Sequence, residues 1–448
     1  MPSVGIVGGG LLGMALAARL TRQGNRVTIL EAASRSGGLA APARIGAYTW
    51  DRFYHVVLLS DQHLRGLLDE LGLTSRLHWQ PTRTGFYIDG QLRSLSSTLE
   101  FLTFPALGLL DKARLGGTVL YASRIRKWQR LESLLASDWL KRWSGPRAWD
   151  RLWLPLLRAK LGDNAEVASA AFIWAIIARM YGARRTGMKQ ETFGYVEGGY
   201  ASILERFDEH LTAQGVESVF NARVREVRSR GQRIEVLTAD GRREFDNVIL
   251  TVPSSRVADL CPQLSDAEQA RLRAIRYQGI VCAALLLERP LADYYITNIT
   301  DASVPFTAVI EMSALVDRAH FGGHALVYLP KYLTQQDRFW EKTDDEIEEE
   351  FLTALERMYP HFERRHVKAF QVSRVREMLA VTTIDYSTRV LPATATSVDR
   401  VFIANSSQIA NGTLNVNETL ALAERKADEL TTLLQGSPNS SAAEVGAA

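Results

Sequence analysis

Val4-Gly5-Ile6-Val7-Gly8-Gly9-Gly10-Leu11-Leu12-Gly13 opens the chain, and Val27-Thr28-Ile29-Leu30-Glu31 and Gly37-Gly38-Leu39 follow shortly after it. A short apolar strand at 4–7 runs into glycines at 8, 10 and 13, then a helical stretch at 12–22, then a second apolar strand that ends on an acid. This order predicts a βαβ nucleotide-binding unit. Gly8 allows the tight turn, Gly10 lets the backbone approach a pyrophosphate, and Gly13 lets the helix pack against the strand. Free N–H groups at the helix N-terminus, around Leu11 and Leu12, meet the phosphates. Glu31, with Ala32 beside it, would accept hydrogen bonds from ribose hydroxyls, and its charge repels a 2′-phosphate, which disfavours NADP.

The chain has 448 residues, 46% of them hydrophobic, enough for large cores and two or more domains. A formal charge of +3 announces no nucleic-acid partner. Cys261 and Cys282 stand far apart without a CxxC or zinc spacing, which argues against a disulfide framework, a metal site or a redox pair and suits a reducing cytoplasm. The first strand begins almost at Met1 with no basic region ahead of it, so no signal peptide is expected. The longest strongly apolar run, 168–178, is too short to span a bilayer.

Further along, 48–57 reads as an extended aromatic segment, 61–71 as a helix by the spacing of Leu64, Leu67, Leu68 and Leu71, and 86–92 as a hairpin about Asp89-Gly90. From Ser94 to about Arg185 the pattern is helical. Basic residues from Lys112 to Lys160 interleave there with leucine, phenylalanine and tryptophan. They form either a solvated basic face or an interfacial surface for anionic lipid or an amphiphilic substrate. Strands are predicted at 223–227, 234–237 and 245–252, then at 281–287, 308–312 and 325–329. An acidic helix follows at 344–359, then a strand at 400–404, a loop at 405–413 and a helix at 416–434. The tail 436–448 is Ser/Ala/Gly-rich and predicted to be disordered.

Together these landmarks resemble the flavin amine oxidase superfamily, which includes protoporphyrinogen oxidases, phytoene desaturases and UDP-galactopyranose mutases. The resemblance covers nearly the whole chain. It implies an α/β fold in which a discontinuous Rossmann-type FAD-binding domain (1–90, 195–276 and 390–435) carries a mixed α+β substrate domain (91–194 and 277–389). FAD would lie extended across the first unit, with an acid at Glu31 on the ribose and Gly37-Gly38-Leu39 beside the flavin. The resemblance also places Val224 along the adenine, counts Thr251 and Pro253 of the strand end Leu250-Thr251-Val252-Pro253 and Asn405 among the cofactor-binding residues, and sets the helix start Asn415-Val416 against the flavin. Asn415 and Glu418 have the spacing of a capping box, and a helix N-terminus there would stabilise negative charge on the ring.

The chain departs from the family at Asn405-Ser406, where many members have Gly followed by an acid, so a carboxylate contact would be either missing or replaced by amide and hydroxyl. Leu39 stands where amine oxidases often have arginine. Neither cysteine lies in a flavin-attachment motif, so FAD is expected to be noncovalent. The implied activity is transfer of a hydride from a substrate C–H or C–N carbon to flavin N5, with the protein orienting the substrate. His55, with Asp51 and Tyr54 nearby, is the catalytic candidate, set against a hydrogen-bonded structural histidine. The tryptophan-rich insertion points to a bulky lipophilic small molecule, isoprenoid-, polycyclic- or porphyrin-like, with an amine as the alternative. A peripheral contact at the inner membrane face is a further expectation. The rivals are a nonredox mutase with reduced flavin and a binding protein like the GDP-dissociation inhibitors.

Overall fold

The computed structural model describes residues 1–182, 191–410 and 414–435. The tail 436–448, the end of the helical region near Arg185 and part of the loop 405–413 therefore lie outside the described residues. Five parallel strands form the nucleotide sheet, in the spatial order Glu217–Val219, Arg26–Leu30, Ser3–Val7, Asn247–Leu250 and Val401–Ile403. In order along the chain this is 3-2-1-4-5, the Rossmann arrangement with its first strand in the centre. Strands buried on both faces must be apolar throughout, and Val248, Ile249 and Leu250 are fully buried. Helix Leu11–Arg22 packs on this sheet and against the last helix, Val416–Gln435, in one core with Ile203, Leu204 and Phe207.

Predicted strand 245–252 is two elements. Gly241–Phe245 belongs to a three-stranded antiparallel sheet with Val224–Arg230 and Arg233–Thr238, and Asn247–Leu250 belongs to the parallel sheet. Asp246 makes the break: its carboxylate accepts from the Ser3 backbone N–H and hydroxyl, both at 2.7 Å, and its own N–H donates to the Ser3 hydroxyl. The Ser3 and Arg233 partners hold the Asp246 carboxyl below its usual range despite partial burial.

A seven-stranded sheet forms the second layer, in the order Val367–Ala380, Tyr277–Leu287, Ala325–Leu333, Ala308–Glu311, Ile296–Ile299, Thr84–Ile88 and Gln91–Ser94. The hairpin about Asp89-Gly90 is present, with both residues at positive φ, and it hydrogen-bonds to this sheet rather than to the nucleotide sheet. The expected boundary at residue 90 falls inside that hairpin. Strand Val367–Ala380 was not foreseen. It is an edge strand studded with Lys368, Gln371, Arg374 and Arg376, the polar marking that keeps an edge from pairing with another chain and hides its apolar alternation. Helices between 98 and 182 build a separate layer around Trp139, Trp149, Leu161 and Phe172.

Glu311 is buried in this sheet, accepting the N–H groups of Leu291 and Ala292 at 3.2 and 2.9 Å. Burial pushes its carboxyl up to about 8, from an ordinary value of 4.5, and the two N–H groups offset only part of this. The folded protein thus binds a proton that the unfolded chain has released, so stability falls as pH rises between about 4.5 and 8. Glu311→Gln should match the wild type in urea unfolding near pH 5 and exceed it increasingly towards about pH 9; parallel pH profiles for the two proteins would refute the assignment.

Candidate active site

Helix Leu11–Arg22 begins at Gly10 without a side-chain cap and without an acid in its first turn. Its first N–H groups are left for a ligand, and the helix dipole makes that ligand an anion. Gly13 is required by packing, since a Cβ there would lie 2.0 Å from the Gly8 carbonyl oxygen. Gly8 has φ +114°, and a Cβ would lie 2.5 Å from the Thr251 hydroxyl. That hydroxyl donates towards the carbonyls of Val7 and Gly8 at 2.9 and 3.1 Å, so Thr251 braces the phosphate turn. A Cβ on Gly10 would meet only the Gly38 Cα, at 3.8 Å, so this position is open on its ligand side.

Glu31 ends the second strand. One carboxylate oxygen accepts the Gly9 N–H at 2.6 Å and the other the Ala33 N–H at 2.8 Å. The acid therefore shapes the glycine turn, and each oxygen keeps lone-pair capacity for ribose hydroxyls. Ala32, beside it, is exposed. Residues 219–222 are tied to this point through Glu31 N–H to Val219 O and Ala222 N–H to Glu31 O, which brings buried Val224 alongside.

Two contacts align the first and last helices. Arg19 donates to Glu424 at 2.7 Å and the Thr431 hydroxyl to Gln23 at 2.6 Å. Both sequence numbers rise together, so the helices run parallel and the N-termini at Leu11 and Val416 lie at the same end of the sheet. Asn415 caps the second of these by accepting the Glu418 N–H at 3.0 Å. Two positive helix ends thus face one region.

Asn405 is different. Its side chain is fully buried, donating to Val252 O and the Ser254 hydroxyl and accepting from the Ser407 N–H and hydroxyl. All four of its amide hydrogen-bonding positions are engaged within the protein, so it fixes the end of the last strand to Pro253-Ser254.

Segment 37–58 joins the two layers. Gly37 and Gly38 both have positive φ, and the Gly37 N–H donates to Gly9 O at 2.8 Å. Strands Pro42–Ile45 and Tyr48–Asp51 then pair, and the Tyr328 hydroxyl of the large sheet donates to the Asp51 carbonyl at 2.5 Å. Arg52, which sequence reasoning missed, donates to Gly38 O at 3.0 Å while its Nε is buried without a partner. A guanidinium beside the loop thus comes from position 52. An unpartnered donor, an open helix N-terminus and an open glycine face fit an anionic dinucleotide.

His55 sits against Tyr200, ring centroids 4.6 Å apart, with its Nδ1 3.7 Å from Asp51 Oδ2 and unpaired. It lines a small internal cavity with Trp50, Tyr195 and Met312. Asp51 itself accepts the Tyr200 N–H at 2.7 Å. Tyr54 turns the other way: its hydroxyl lies 2.5 Å from that of Tyr332, and Lys160 donates to Tyr332 at 3.2 Å. Burial, reinforced by Tyr332, holds the Tyr54 hydroxyl well above its ordinary range, so it remains a protonated donor. Leu39, Tyr54, Tyr332, Val375 and Met378 all pack on the same core. Only the run of aromatics at 48–57 could have signalled this cluster; Lys160 was indistinguishable within its basic stretch.

A family model described as flavin containing amine oxidoreductase matches residues 13–431. The chain is 27% identical over 319 residues to a carotenoid phi-ring synthase of Streptomyces griseus, covering 65% of this chain and 61% of that protein. It is 28% identical over 295 residues to a coproporphyrinogen III oxidase of Mycobacterium tuberculosis, covering 60% and 63%. The chain thus spans less than two thirds of the length of these curated relatives. Its fold matches that of a putrescine oxidase solved with putrescine, with a TM-score of 0.72 at 18% identity over 96% of this chain and 99% of that one. Since the model match spans almost the whole chain, the chain belongs to the flavin-containing amine oxidoreductase family, whose cofactor is FAD.

Proposed function

We propose that the protein oxidises a bulky apolar substrate, neutral or carboxylate-bearing, held between the Gly37–Leu39 loop and the Tyr54–Tyr332 pair. The carrying observation is the makeup of that pair's surroundings. Leu39, Val375 and Met378 pack on the same core, and the charged group hydrogen-bonded to the tyrosines is a cation, Lys160, with its Nζ 4.3 Å from the Tyr332 ring centroid. A fixed cation repels a protonated amine and tolerates a neutral or anionic substrate. The names of the two curated relatives, a carotenoid enzyme and a porphyrinogen oxidase, agree with a bulky unsaturated substrate.

Bound FAD supplies the two-electron acceptor. Arg52 and the two parallel helix N-termini place positive charge near the loop, where added electrons raise negative charge. Lys160 donates to the Tyr332 oxygen, and one tyrosine hydroxyl then donates to the other. With Tyr332 donating to Tyr54, the Tyr54 proton is left to orient the substrate. The residues Gly8, Gly10, Leu11, Leu12, Gly13, Glu31 and Ala32 would hold the adenosine and phosphates, with Val224 along the adenine. Asn415 and Val416 would approach the ring.

Anaerobic titration decides the reading. A porphyrinogen tetracarboxylate or a carotenoid precursor should bleach the oxidised flavin absorbance, and putrescine should not. Bleaching by putrescine alone would overturn the substrate class, and turnover only after prior reduction would favour mutase-like chemistry. A colourless protein that cannot be reconstituted with FAD would favour a binding module.

Three substitutions probe the parts separately. Glu31→Ala should weaken FAD retention about ten- to hundredfold, the worth of one charge-assisted hydrogen bond, and unchanged FAD affinity by equilibrium dialysis would sink the ribose assignment. Arg52→Met should weaken it about tenfold, with Arg52→Lys a poor rescue because lysine lacks the planar fork. Tyr332→Phe should leave FAD bound and lower kcat about two- to tenfold; an unaltered kcat would remove Tyr332 from the site.

A further inference from the structure

We propose that helix Leu109–Arg124, with the preceding helix Thr98–Thr103, seats the protein on an anionic bilayer surface. The proposal goes beyond the redox reading and does not depend on it.

Helix Leu109–Arg124 is turned inside out. Its buried face holds Lys112, Leu115, Thr118 and Ala122, whereas Leu109 and Leu110 are 76% and 73% exposed and Leu120 and Tyr121 40% and 42%. The outward positions between them are Ala113, Arg114, Gly116 and Gly117, all exposed, so apolar and small residues run at helical spacing along the solvent side with Arg114 at their edge. An amphipathic helix in a water-facing protein shows the reverse. Lys112 explains how the inversion is held: its Nζ donates to Leu102 O at 2.6 Å. That bond ties the end of one helix to the start of the next and gathers Leu99 and Leu102, themselves 71% and 49% exposed, beside Leu109 and Leu110. Tyr121 stacks on Trp143 at 4.4 Å, an aromatic pair suited to a membrane–water boundary.

Charge selects the partner. From 112 to 131 the chain has no acid. Arg114 is engaged by the carbonyls of Arg142 and Trp143, and Arg147 and Arg151 by Asp111 and Asp89. Arg124, Arg126, Lys127 and Arg130 are exposed, and among the described residues none of the four is in an ion pair. Leucines flanked by uncompensated cations fit the headgroup boundary of an anionic membrane. A second copy of the chain meeting this face would set these like charges against one another. Among the described residues no helix is long and apolar enough to cross a membrane, so the contact is a seating at the interface.

The test is flotation of the full-length holoprotein with phosphatidylcholine vesicles, with and without phosphatidylglycerol. Binding is expected to the anionic vesicles and to weaken as salt rises. Leu109→Ser/Leu110→Ser should reduce it about tenfold or more, and Arg126→Glu or Lys127→Glu about fivefold each at least, with the flavin spectrum unchanged in every variant. Failure of the wild type to float with anionic vesicles at low salt overturns the proposal, as does equal flotation by the double leucine variant. A dimer that this variant dissolves, with no vesicle binding by the wild type, assigns the face to a second copy instead.

Discussion

Backbone lies against backbone where Gly10 meets Gly38, and the rest of the molecule depends on that approach. A Cβ on Gly38 would stand 3.1 Å from the Gly10 Cα, and Gly38 has φ +58°, a conformation that side chains disfavour. The Gly37 N–H to Gly9 carbonyl bond fixes the same crossing. It sets the glycine turn and the segment leading to the second layer in one rigid unit.

From that crossing the chain carries polar groups into the interior and satisfies them unevenly. Asp51 is fixed by the Tyr200 N–H, and its carbonyl receives the Tyr328 hydroxyl from the large sheet. Asn405, on the far side, is engaged at every position. By contrast, the Nε of Arg52, the Nδ1 of His55 and the hydroxyl of Tyr200 are buried without partners. Buried polar atoms are ordinarily paired; Trp50 Nε1 is a further one without a partner in segment 50–55, and others are scattered through the described residues, as at Ser169, Asn247 and Gln278.

The helical layer shows a similar division. Most of its arginines are neutralised by carbonyls or nearby acids, and its tryptophans form a core with Leu379 and Val381 at the end of the long edge strand. One helix, Leu109–Arg124, presents leucine outward and holds a lysine inward. The basic stretch that composition leaves ambiguous therefore consists of two populations, distinguished only by where the helices turn.

The nucleotide unit was legible in the sequence because its signals are local. A turn needs glycine at 8, a helix packing on its strand needs glycine at 13, and the acid closes a strand at 31, all within one supersecondary unit. The hairpin at Asp89-Gly90 and the cap at Asn415 are readable for the same reason. Tertiary structure alone decided the rest. Tyr54 meets Tyr332 across 278 positions of chain and Lys160 meets Tyr332 across 172, separations that only the pairing of distant strands and helices can close. The long strand Val367–Ala380 hides its alternation behind edge charges, Asn405 is engaged on every side within the protein, and the Nε of Arg52 is left buried without a partner. Local periodicity determined which elements form; packing between elements decided which of their side chains remain free to do chemistry.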